Sequence, residues 1–289
     1  MSSPLPPSGK PMETRKIILI TGCSSGIGLD AALTLNARGW RVFATCRKEE
    51  DCARLSAMGL ESFRLDYEDT ASIHEGFAEA MKRGSGRLDA LFNNGAYGIP
   101  GAVEDLPTEA LRQIFEANFF GWHELTRLAI PVMHGQGGGR IIQNSSVLGF
   151  AALRMRGAYN ATKFALEGLT DTLRLELGGT GIKVVLIEPG PIRTKIRENS
   201  YPHFRQWIDW KGTRLENFYR EVLIPRLEAV NPPKDLFELM PEAVSRAVIH
   251  ALESPHPRIR YRITTATKLM GLLKRLLSSR GFDRLAARI

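Results

Sequence analysis

Short, continuous apolar runs recur along the chain and alternate with longer stretches of helical periodicity. We predict seven strands from the runs, at Lys16–Ile20, Arg41–Thr45, Glu61–Leu65, Leu88–Phe92, Arg140–Gln143, Lys183–Ile187 and Arg258–Ile263. An apolar run without polar alternation is typical of a strand buried on both faces. The stretches between them predict helices at Ile27–Ala37, Glu49–Met58, Thr70–Lys82, Pro107–Met133 and Gly157–Leu177. This alternation predicts an α/β fold with a doubly wound parallel sheet.

The pattern continues without a linker, so we predict one Rossmann-type domain over residues 15–289. The first 14 residues, with four prolines, predict a disordered leader. An apolar content of 43% excludes a chain that is disordered throughout, and three cysteines exclude a disulfide scaffold. No apolar run reaches the roughly 20 residues of a membrane span, and the N-terminus lacks a signal-peptide core. We therefore expect a cytoplasmic protein.

The loop after the first strand has the composition of a phosphate-binding turn. It reads Thr21-Gly22-Cys23-Ser24-Ser25-Gly26-Ile27-Gly28 and leads directly into the first helix. Glycines permit a tight turn and a close approach of the backbone to a pyrophosphate, whose charge the helix N-terminus favours. We therefore predict a dinucleotide site that includes Thr21, Gly22, Ser24, Ser25, Gly26, Ile27 and Gly28.

The end of the second strand indicates which dinucleotide is bound. An NAD site places an acid there for the ribose 2′-hydroxyl, whereas an NADP site offers cations to the 2′-phosphate. Here the strand ends Thr45-Cys46-Arg47-Lys48, with two cations and no acid. We predict NADP(H), with Arg47 and Lys48 at its 2′-phosphate.

Three further side chains predict a proton-transfer site. Tyr159 and Lys163 are four positions apart in a predicted helix and share a face, and Ser146 lies just past the fifth strand. A lysine ammonium lowers the pKa of a nearby phenol, which starts near 10. A serine hydroxyl can hold a substrate oxygen beside that phenol. The six histidines show no metal spacing, and we predict no metal site.

With these motifs in combination, residues 16–200 resemble the short-chain dehydrogenase/reductase superfamily, in its single-domain branch. The resemblance implies a catalytic tetrad of Asn118, Ser146, Tyr159 and Lys163, of which Tyr159 and Lys163 also contact the cofactor. It adds a set of cofactor-binding residues that follow other strands: Asp66, Asn94, Pro189, Gly190, Ile192 and Thr194. The family's Asn-Ala-Gly motif stands here as Asn93-Asn94-Gly95-Ala96, with alanine and glycine interchanged.

The resemblance also implies an activity, the NADP(H)-dependent interconversion of a carbonyl and an alcohol. Tyr159 would give the proton to the carbonyl oxygen, and Ser146 would position that oxygen. Lys163 would bond the nicotinamide ribose, lower the pKa of Tyr159 and connect through water to Asn118. Family precedent implies a homodimer or homotetramer, formed through the helices predicted at 107–133 and 157–177.

An insertion at about residues 195–240 covers the substrate in related proteins. It holds six of the 23 aromatic residues between positions 201 and 219. Such rings suit a lipophilic ligand, although they could equally pack the insertion against the sheet. The pattern is most similar to the hydroxysteroid and retinol dehydrogenase side of the superfamily, so we expect a steroid-, retinoid- or aldehyde-like substrate. Two alternatives remain, a 3-ketoacyl-carrier-protein reductase and a non-catalytic, NADP-binding, membrane-associated regulator.

The net charge of +8 belongs to the end of the chain. Residues 258–289 hold nine of the 39 basic residues and one of the 31 acidic ones, so the remainder is neutral. Within the C-terminal extension, residues 264–289, Lys268–Arg280 predicts a basic amphipathic helix with an apolar face of Leu269, Met270, Leu272, Leu273, Leu276 and Leu277. This helix could pack over the substrate cleft or at a dimer interface, lie on an anionic membrane, or bind an acidic protein. Charge confined to one helix does not favour nucleic acid.

Overall fold

A single parallel sheet of seven strands organises the structure, a computed structural model that describes residues 15–229 and 233–287. The strand order is β3-β2-β1-β4-β5-β6-β7. The strands are β1 Ile17–Ile20, β2 Arg41–Cys46, β3 Glu61–Arg64, β4 Ala90–Asn93, β5 Gly139–Asn144, β6 Ile182–Glu188 and β7 Arg260–Arg262. The predicted doubly wound fold is confirmed. Because the order changes direction between β1 and β4, a ligand crevice opens beyond the carboxyl ends of these two strands.

Helices cover both faces of the sheet and form most of the C-terminal third. Their bounds are α1 Gly26–Ala37, α2 Glu49–Ala57, α3 Thr70–Arg83, α4 Thr108–Phe115, α5 Gly121–Gly135, α6 Gly157–Glu176, α7 Ile196–Trp207, α8 Glu216–Phe218, α9 Ile224–Glu228, α10 Glu242–Glu253, α11 Thr265–Leu276 and α12 Ser279–Ala286. Within residues 15–229 and 233–287, no helix is both long and apolar enough to span a membrane. The predicted leader, residues 1–14, lies outside the described residues.

The continuous apolar runs are explained by burial on both faces of the sheet. Ile18 and Ile20 of β1 point into one core, which α1 and α10 complete. Leu19, between them, points into the opposite core with Trp122 and Leu125 of α5. All three β1 side chains are fully buried, and burying each contributes on the order of 1.5–3 kcal/mol.

Two predicted helices differ from the observed ones. The helix predicted at Pro107–Met133 is interrupted by one π-helical turn at Glu116–Phe120, between α4 and α5. The helix predicted at Lys268–Arg280 ends at Leu276, and the prediction beyond that point was wrong. Ser278 begins α12 instead, because its hydroxyl accepts a hydrogen bond from the Gly281 amide at 3.3 Å.

The aromatic insertion has its own core beside the sheet. Phe204 of α7 and Tyr219 are buried there with Met155, which lies two residues before the start of α6. The Tyr219 hydroxyl donates to Asp105 (2.7 Å) and accepts from the Ala102 amide (2.8 Å), so it joins the insertion to the loop after β4. Part of the aromatic set therefore packs the insertion in place.

Candidate active site

The turn between β1 and α1 leaves no room for side chains at its glycines. Gly22 and Gly26 have positive φ, 66° and 57°. A Cβ on Gly28 would lie 2.3 Å from the Gly22 carbonyl oxygen, and one on Gly22 would lie 2.4 Å from the Gly95 Cα. Glycine is therefore required at these positions, and the main chain of the turn stays exposed to a ligand.

Asn94 joins this turn to two neighbouring strand ends. Its side-chain amide donates to the carbonyl oxygens of Thr21 (3.0 Å) and Gly22 (3.3 Å). Its carbonyl oxygen accepts from the Asn144 side chain at 2.8 Å, and its main-chain amide donates to the Thr21 hydroxyl at 2.9 Å. The interchange of alanine and glycine in the motif thus leaves Asn94 able to fix the turn.

The turn fits the pyrophosphate of a dinucleotide. The first turn of α1 carries no acidic residue, and Ser25 at its N-cap makes no side-chain capping bond. The first amides of α1 are therefore available to an anion, and the helix dipole favours it. At the end of β2, Arg47 is exposed, while the Lys48 ammonium lies 3.2 Å from a carboxylate oxygen of Glu50. These two cations could reach a 2′-phosphate.

Asp66 lies two residues after the end of β3. Its main-chain amide donates to the Ser72 hydroxyl, and its carboxylate accepts from the Glu68 amide at 3.1 Å. The carboxylate also lies 3.7 Å from the Arg64 guanidinium. One carboxylate oxygen is thus used to shape the loop, while the other could meet the adenine edge.

Tyr159 and Ser146 meet at the other side of the crevice. Ser146 follows β5, and its oxygen accepts from the Leu148 amide at 3.1 Å. The nearby Ser146 hydroxyl favours the phenolate of Tyr159, but burial outweighs this effect and raises the pKa of Tyr159 to about 12. The expected lowering of this pKa is not found. The phenol is therefore protonated at neutral pH.

Lys163 lies one helical turn beyond Tyr159 on α6 and is only 1% exposed. Its ammonium donates to the Asn144 carbonyl at 2.8 Å and lies 5.5 Å from the centre of the Tyr159 ring. Burial lowers the pKa of Lys163 to about 7, against the opposing effect of the Glu167 carboxylate. The lysine is thus close to its titration point at neutral pH.

Asn118 lies in the π-helical turn, fully buried. Its amide donates to the Tyr97 carbonyl at 2.8 Å, and its carbonyl oxygen accepts from the Tyr97 amide at 3.2 Å. The amide also reaches the Thr162 hydroxyl on α6 at 3.4 Å. The extra residue of a π turn re-aims its side chains, and such turns are frequent at functional sites. Asn118 therefore bridges the β4 loop to the helix of Tyr159 and Lys163.

A family model described as short chain dehydrogenase matches residues 16–204. The chain belongs to the short-chain dehydrogenase family. The uncharacterized oxidoreductase YbbO of Escherichia coli K12 is 40% identical over 278 residues, 96% of each chain. Human 17-beta-hydroxysteroid dehydrogenase type 1 is 32% identical over 266 residues, 86% of this chain and 78% of its own. The crystal structure of a short-chain dehydrogenase from Streptomyces avermitilis has a TM-score of 0.74 at 31% identity, covering 91% and 94%.

Sequence reasoning missed how this short-chain dehydrogenase uses its C-terminal extension. A Cβ on Gly190 would lie 2.1 Å from the Thr264 hydroxyl and 2.6 Å from the Thr267 hydroxyl, so the start of α11 packs directly on the turn after β6. Thr194 meets the glycine turn, because a Cβ on Gly26 would lie 2.9 Å from its methyl carbon. The capping pattern at Thr264 and Thr267 was the available signal.

The remaining predicted cofactor residues follow β6. Pro189 accepts from the Val147 amide at 2.7 Å, which ties this turn to the loop of Ser146. Ile192 forms an isolated parallel bridge with Leu239, at the far end of the insertion. The glycine turn Thr21–Gly28, together with Asn94, is called the cofactor cradle below. The turn after β6 therefore connects this cradle, the Ser146 loop and the insertion.

Two buried neighbours of Lys163 were also missed. The ammonium lies 4.1 Å from the centre of the fully buried Trp122 ring, a cation–π contact. Glu167, one turn further along α6, has its pKa raised to about 7 by burial. Its carboxylate accepts from Arg260 of β7 at 3.3 Å, and Arg260 also meets Glu188 of β6 at 3.0 Å. The i, i+4 spacing of Lys163 and Glu167 was the available signal.

Proposed function

We propose that the protein is an NADP(H)-dependent oxidoreductase that interconverts a carbonyl and an alcohol on a lipophilic substrate. The observation that carries this proposal is the proximity of Ser146 to Tyr159, beside the buried Lys163 and Asn118. A bound nicotinamide supplies or accepts the hydride, chemistry that the side chains themselves do not provide.

The side chains act on the substrate oxygen. In the reductive direction Tyr159 donates its proton to that oxygen, and its high pKa keeps the proton in place until it is needed. Ser146 holds the oxygen by a second hydrogen bond. Lys163 places a positive charge near the phenolate that forms, and Asn118 keeps the surrounding backbone in position.

The preference for NADP(H) rests on the end of β2. Arg47 is exposed there, Lys48 is beside it, and no acid occupies the strand end. A dianionic 2′-phosphate forms strong hydrogen bonds with a guanidinium. The residues proposed to hold the rest of the cofactor are those of the glycine turn, with Asp66, Asn94, Tyr159, Lys163, Pro189, Gly190, Ile192 and Thr194.

The lipophilic substrate is proposed from the insertion. Tyr159 packs against the insertion core, which also contains Tyr201 and Phe204 of α7. The Gly98 position lies between α7 and the phenol, since a Cβ there would be 3.1 Å from the Ser200 hydroxyl and 4.0 Å from Tyr159 Cδ2. The human relative is named a hydroxysteroid dehydrogenase, which supports an apolar substrate.

A substrate panel tests the proposed function. NADPH oxidation would be followed with a steroid ketone, a retinoid aldehyde, aliphatic aldehydes and 3-ketoacyl thioesters, and repeated with NADH. We expect turnover of at least one apolar carbonyl compound, with NADPH preferred. Turnover of thioesters alone would favour the carrier-protein reductase, and nucleotide binding without turnover of any compound would favour a non-catalytic regulator.

We further propose a cytoplasmic homo-oligomer that contacts anionic membranes through α11. Phe120 beside α5 and Phe164 on α6 are exposed on the candidate subunit interface. On α11, Leu269, Leu272 and Leu276 are 47%, 53% and 69% exposed, and α11 also carries exposed Lys268 and Arg275. Such a helix suits the interface of an anionic bilayer.

Flotation with phosphatidylglycerol vesicles tests the membrane contact. The variant combining Leu269→Ser, Leu272→Ser and Leu276→Ser should stay with the soluble fraction while wild type floats at low salt. These side chains are exposed, so folding should be retained, which the thermal unfolding midpoint checks. Wild type that fails to float, but whose dimer dissociates in the variant, would assign the leucines to a subunit interface instead.

A further inference from the structure

A cluster of arginines borders the substrate side of the site and plays no part in the chemistry described so far. Arg156 immediately precedes α6 and stands three residues before Tyr159. Its backbone is fixed, because Met155 accepts from the Gly101 amide at 3.0 Å and Arg156 forms a parallel bridge with Gly101. The position of Arg156 relative to the phenol is therefore set by the fold.

The Arg156 side chain is half-buried and makes few polar contacts with the protein. Over residues 15–229 and 233–287 it makes one hydrogen bond, to the Met155 carbonyl at 3.1 Å, and no ion pair. A guanidinium has five N–H donors, so most of them remain available to a ligand. Burial lowers the pKa of Arg156 to about 10, so it remains charged at neutral pH.

The neighbours of Arg156 add positive charge. Arg197 on α7 and Arg226 on α9 both lower its pKa, and only Asp235 opposes them. Asp235 is shared, since one carboxylate oxygen accepts from Arg197 and the other accepts from Arg226 at 3.0 Å. Two guanidinium groups thus share one carboxylate, and with Arg156 nearby the three arginines and Asp235 carry a net charge of about +2.

Neighbours of this cluster along the chain lie beside the phenol. Arg197 precedes Ser200 by three residues and so lies on the same side of α7. Ser200 in turn lies beside Gly98 and the Tyr159 ring. Met155, next to Arg156, belongs to the apolar core of the insertion. The segments that carry Arg156 and Arg197 therefore also carry residues of the apolar core and of the surroundings of Tyr159.

We propose that Arg156, assisted by Arg197 and Arg226, binds an oxyanion carried by the lipophilic substrate, either a carboxylate or a phosphate. This inference rests on the proposed carbonyl reduction at Tyr159 and narrows its substrate class. An oxyanion satisfies the free donors of Arg156 in the bidentate geometry that guanidinium groups favour. A neutral steroid or a plain aldehyde leaves those donors without a partner.

Two matched pairs of substrates test the inference, 4-oxodecanoate and 10-oxodecanoate, each against its methyl ester. We expect kcat/KM for the acid to exceed that for the ester at least tenfold in one pair. In Arg156→Gln the acid-to-ester ratio should fall about 10- to 100-fold, mainly through KM of the acid. Arg154→Gln is the control, because Arg154 is exposed and its guanidinium lies over the Phe218 ring, 5.3 Å from the ring centre. The acid-to-ester ratio of this variant should match that of wild type.

Equal or better turnover of the esters in wild type would overturn the oxyanion site while leaving the proposed reductase intact. If none of the four compounds is reduced, the proposed function is judged by the substrate panel above, and the oxyanion site is judged by binding alone. Calorimetry with decanoate, decyl phosphate and 1-decanol would measure the affinity of the protein for each compound. We expect either anion to bind at least tenfold tighter than the alcohol, and the stronger of the two identifies the oxyanion. Equal affinities for all three would refute the site.

Two further variants give a result even if Arg156→Gln fails to fold. Arg156→Lys keeps the charge without the planar donors, so it should retain part of the preference for acids. Arg226→Gln changes a half-exposed side chain and should lower the acid-to-ester ratio to a smaller extent. A ratio unchanged in all three variants would contradict the assignment of the cluster.

Discussion

The cofactor cradle and the catalytic side of the crevice are positioned by different kinds of interaction. The cradle depends on main chain and space, since Gly22, Gly28 and Asn94 bring the turn into contact with the strand ends. The catalytic side depends on buried ionisable groups, since the pKa values of Tyr159 and Lys163 are both displaced by burial. A substitution in the cradle should therefore act through sterics, and one on the catalytic side through protonation.

The largest effect is expected from Tyr159→Phe, which removes one hydroxyl from the catalytic side and leaves the cradle untouched. Loss of the proton donor should lower kcat by two to four orders of magnitude, the usual contribution of general acid catalysis, roughly 10²–10⁴. NADPH affinity, measured by quenching of protein fluorescence, should change less than about threefold. A variant with near-normal kcat would exclude Tyr159 as the proton donor.

A single methyl group should damage the cradle. Gly28→Ala places a Cβ 2.3 Å from the Gly22 carbonyl oxygen. We expect the NADPH Kd to rise about 100-fold and the free energy of unfolding to fall by about 1–3 kcal/mol, because backbone must move. Gly168→Ala is the matched control, since it lies within α6 with no atom within 4 Å of the added Cβ. It should stabilise the protein by about 0.5–1 kcal/mol.

The cation at the rim of the cradle should affect cofactor choice alone. Arg47→Ser should lower kcat/KM for NADPH about tenfold, because a charge-assisted hydrogen bond to the 2′-phosphate is lost. The kcat/KM for NADH should remain within about twofold of the wild-type value, since NADH has a hydroxyl in place of the 2′-phosphate. Equal losses with both cofactors would show that Arg47 supports the turn rather than the phosphate.

The same contrast explains how much of the site could be predicted from the sequence. Gly28 was predicted because it stands in a glycine-rich turn directly after a strand, and Tyr159 because it stands four positions before Lys163 in a predicted helix. Trp122 was missed because its contact with Lys163 depends on side-chain packing that no spacing rule specifies, whereas the i, i+4 spacing of Lys163 and Glu167 was present in the sequence but was not used. The packing of Thr264 on Gly190 joins residues more than 70 positions apart, and it becomes visible only when β6 and β7 pair.

Likewise, the doubly wound parallel sheet followed from continuous apolar runs, whereas the π turn at Glu116–Phe120 left no mark on the apolar pattern. In the C-terminal extension the amphipathic pattern over Lys268–Arg280 predicted one uninterrupted helix. Ser278 could form a local cap, and that bond competed successfully with a longer helix. A single hydrogen bond can decide where a helix ends, and the apolar periodicity does not show where such a bond forms.

The smallest effect concerns Glu167, which acts on the catalytic side through Lys163. Its carboxylate favours the lysine ammonium, so Glu167→Gln should lower the pKa of Lys163 further below its ordinary value. Loss of that ammonium should then begin at lower pH, and the alkaline decline of kcat for reduction should shift down by less than about one pH unit. Glu176→Gln, exposed at the end of the same helix, should leave the profile unchanged.

Unfolding separates this electrostatic role of Glu167 from a structural one. The pKa of Glu167 is raised in the folded state to about 7, so its contribution to stability is complete below its unfolded value of 4.5 and is lost as the pH rises through 7. The free energy of unfolding of Glu167→Gln, relative to wild type, should therefore increase between pH 4.5 and pH 7. A merely structural glutamate would give a constant difference and an unshifted kcat profile. Both measurements thus bear on whether charge, rather than space, governs this side of the crevice.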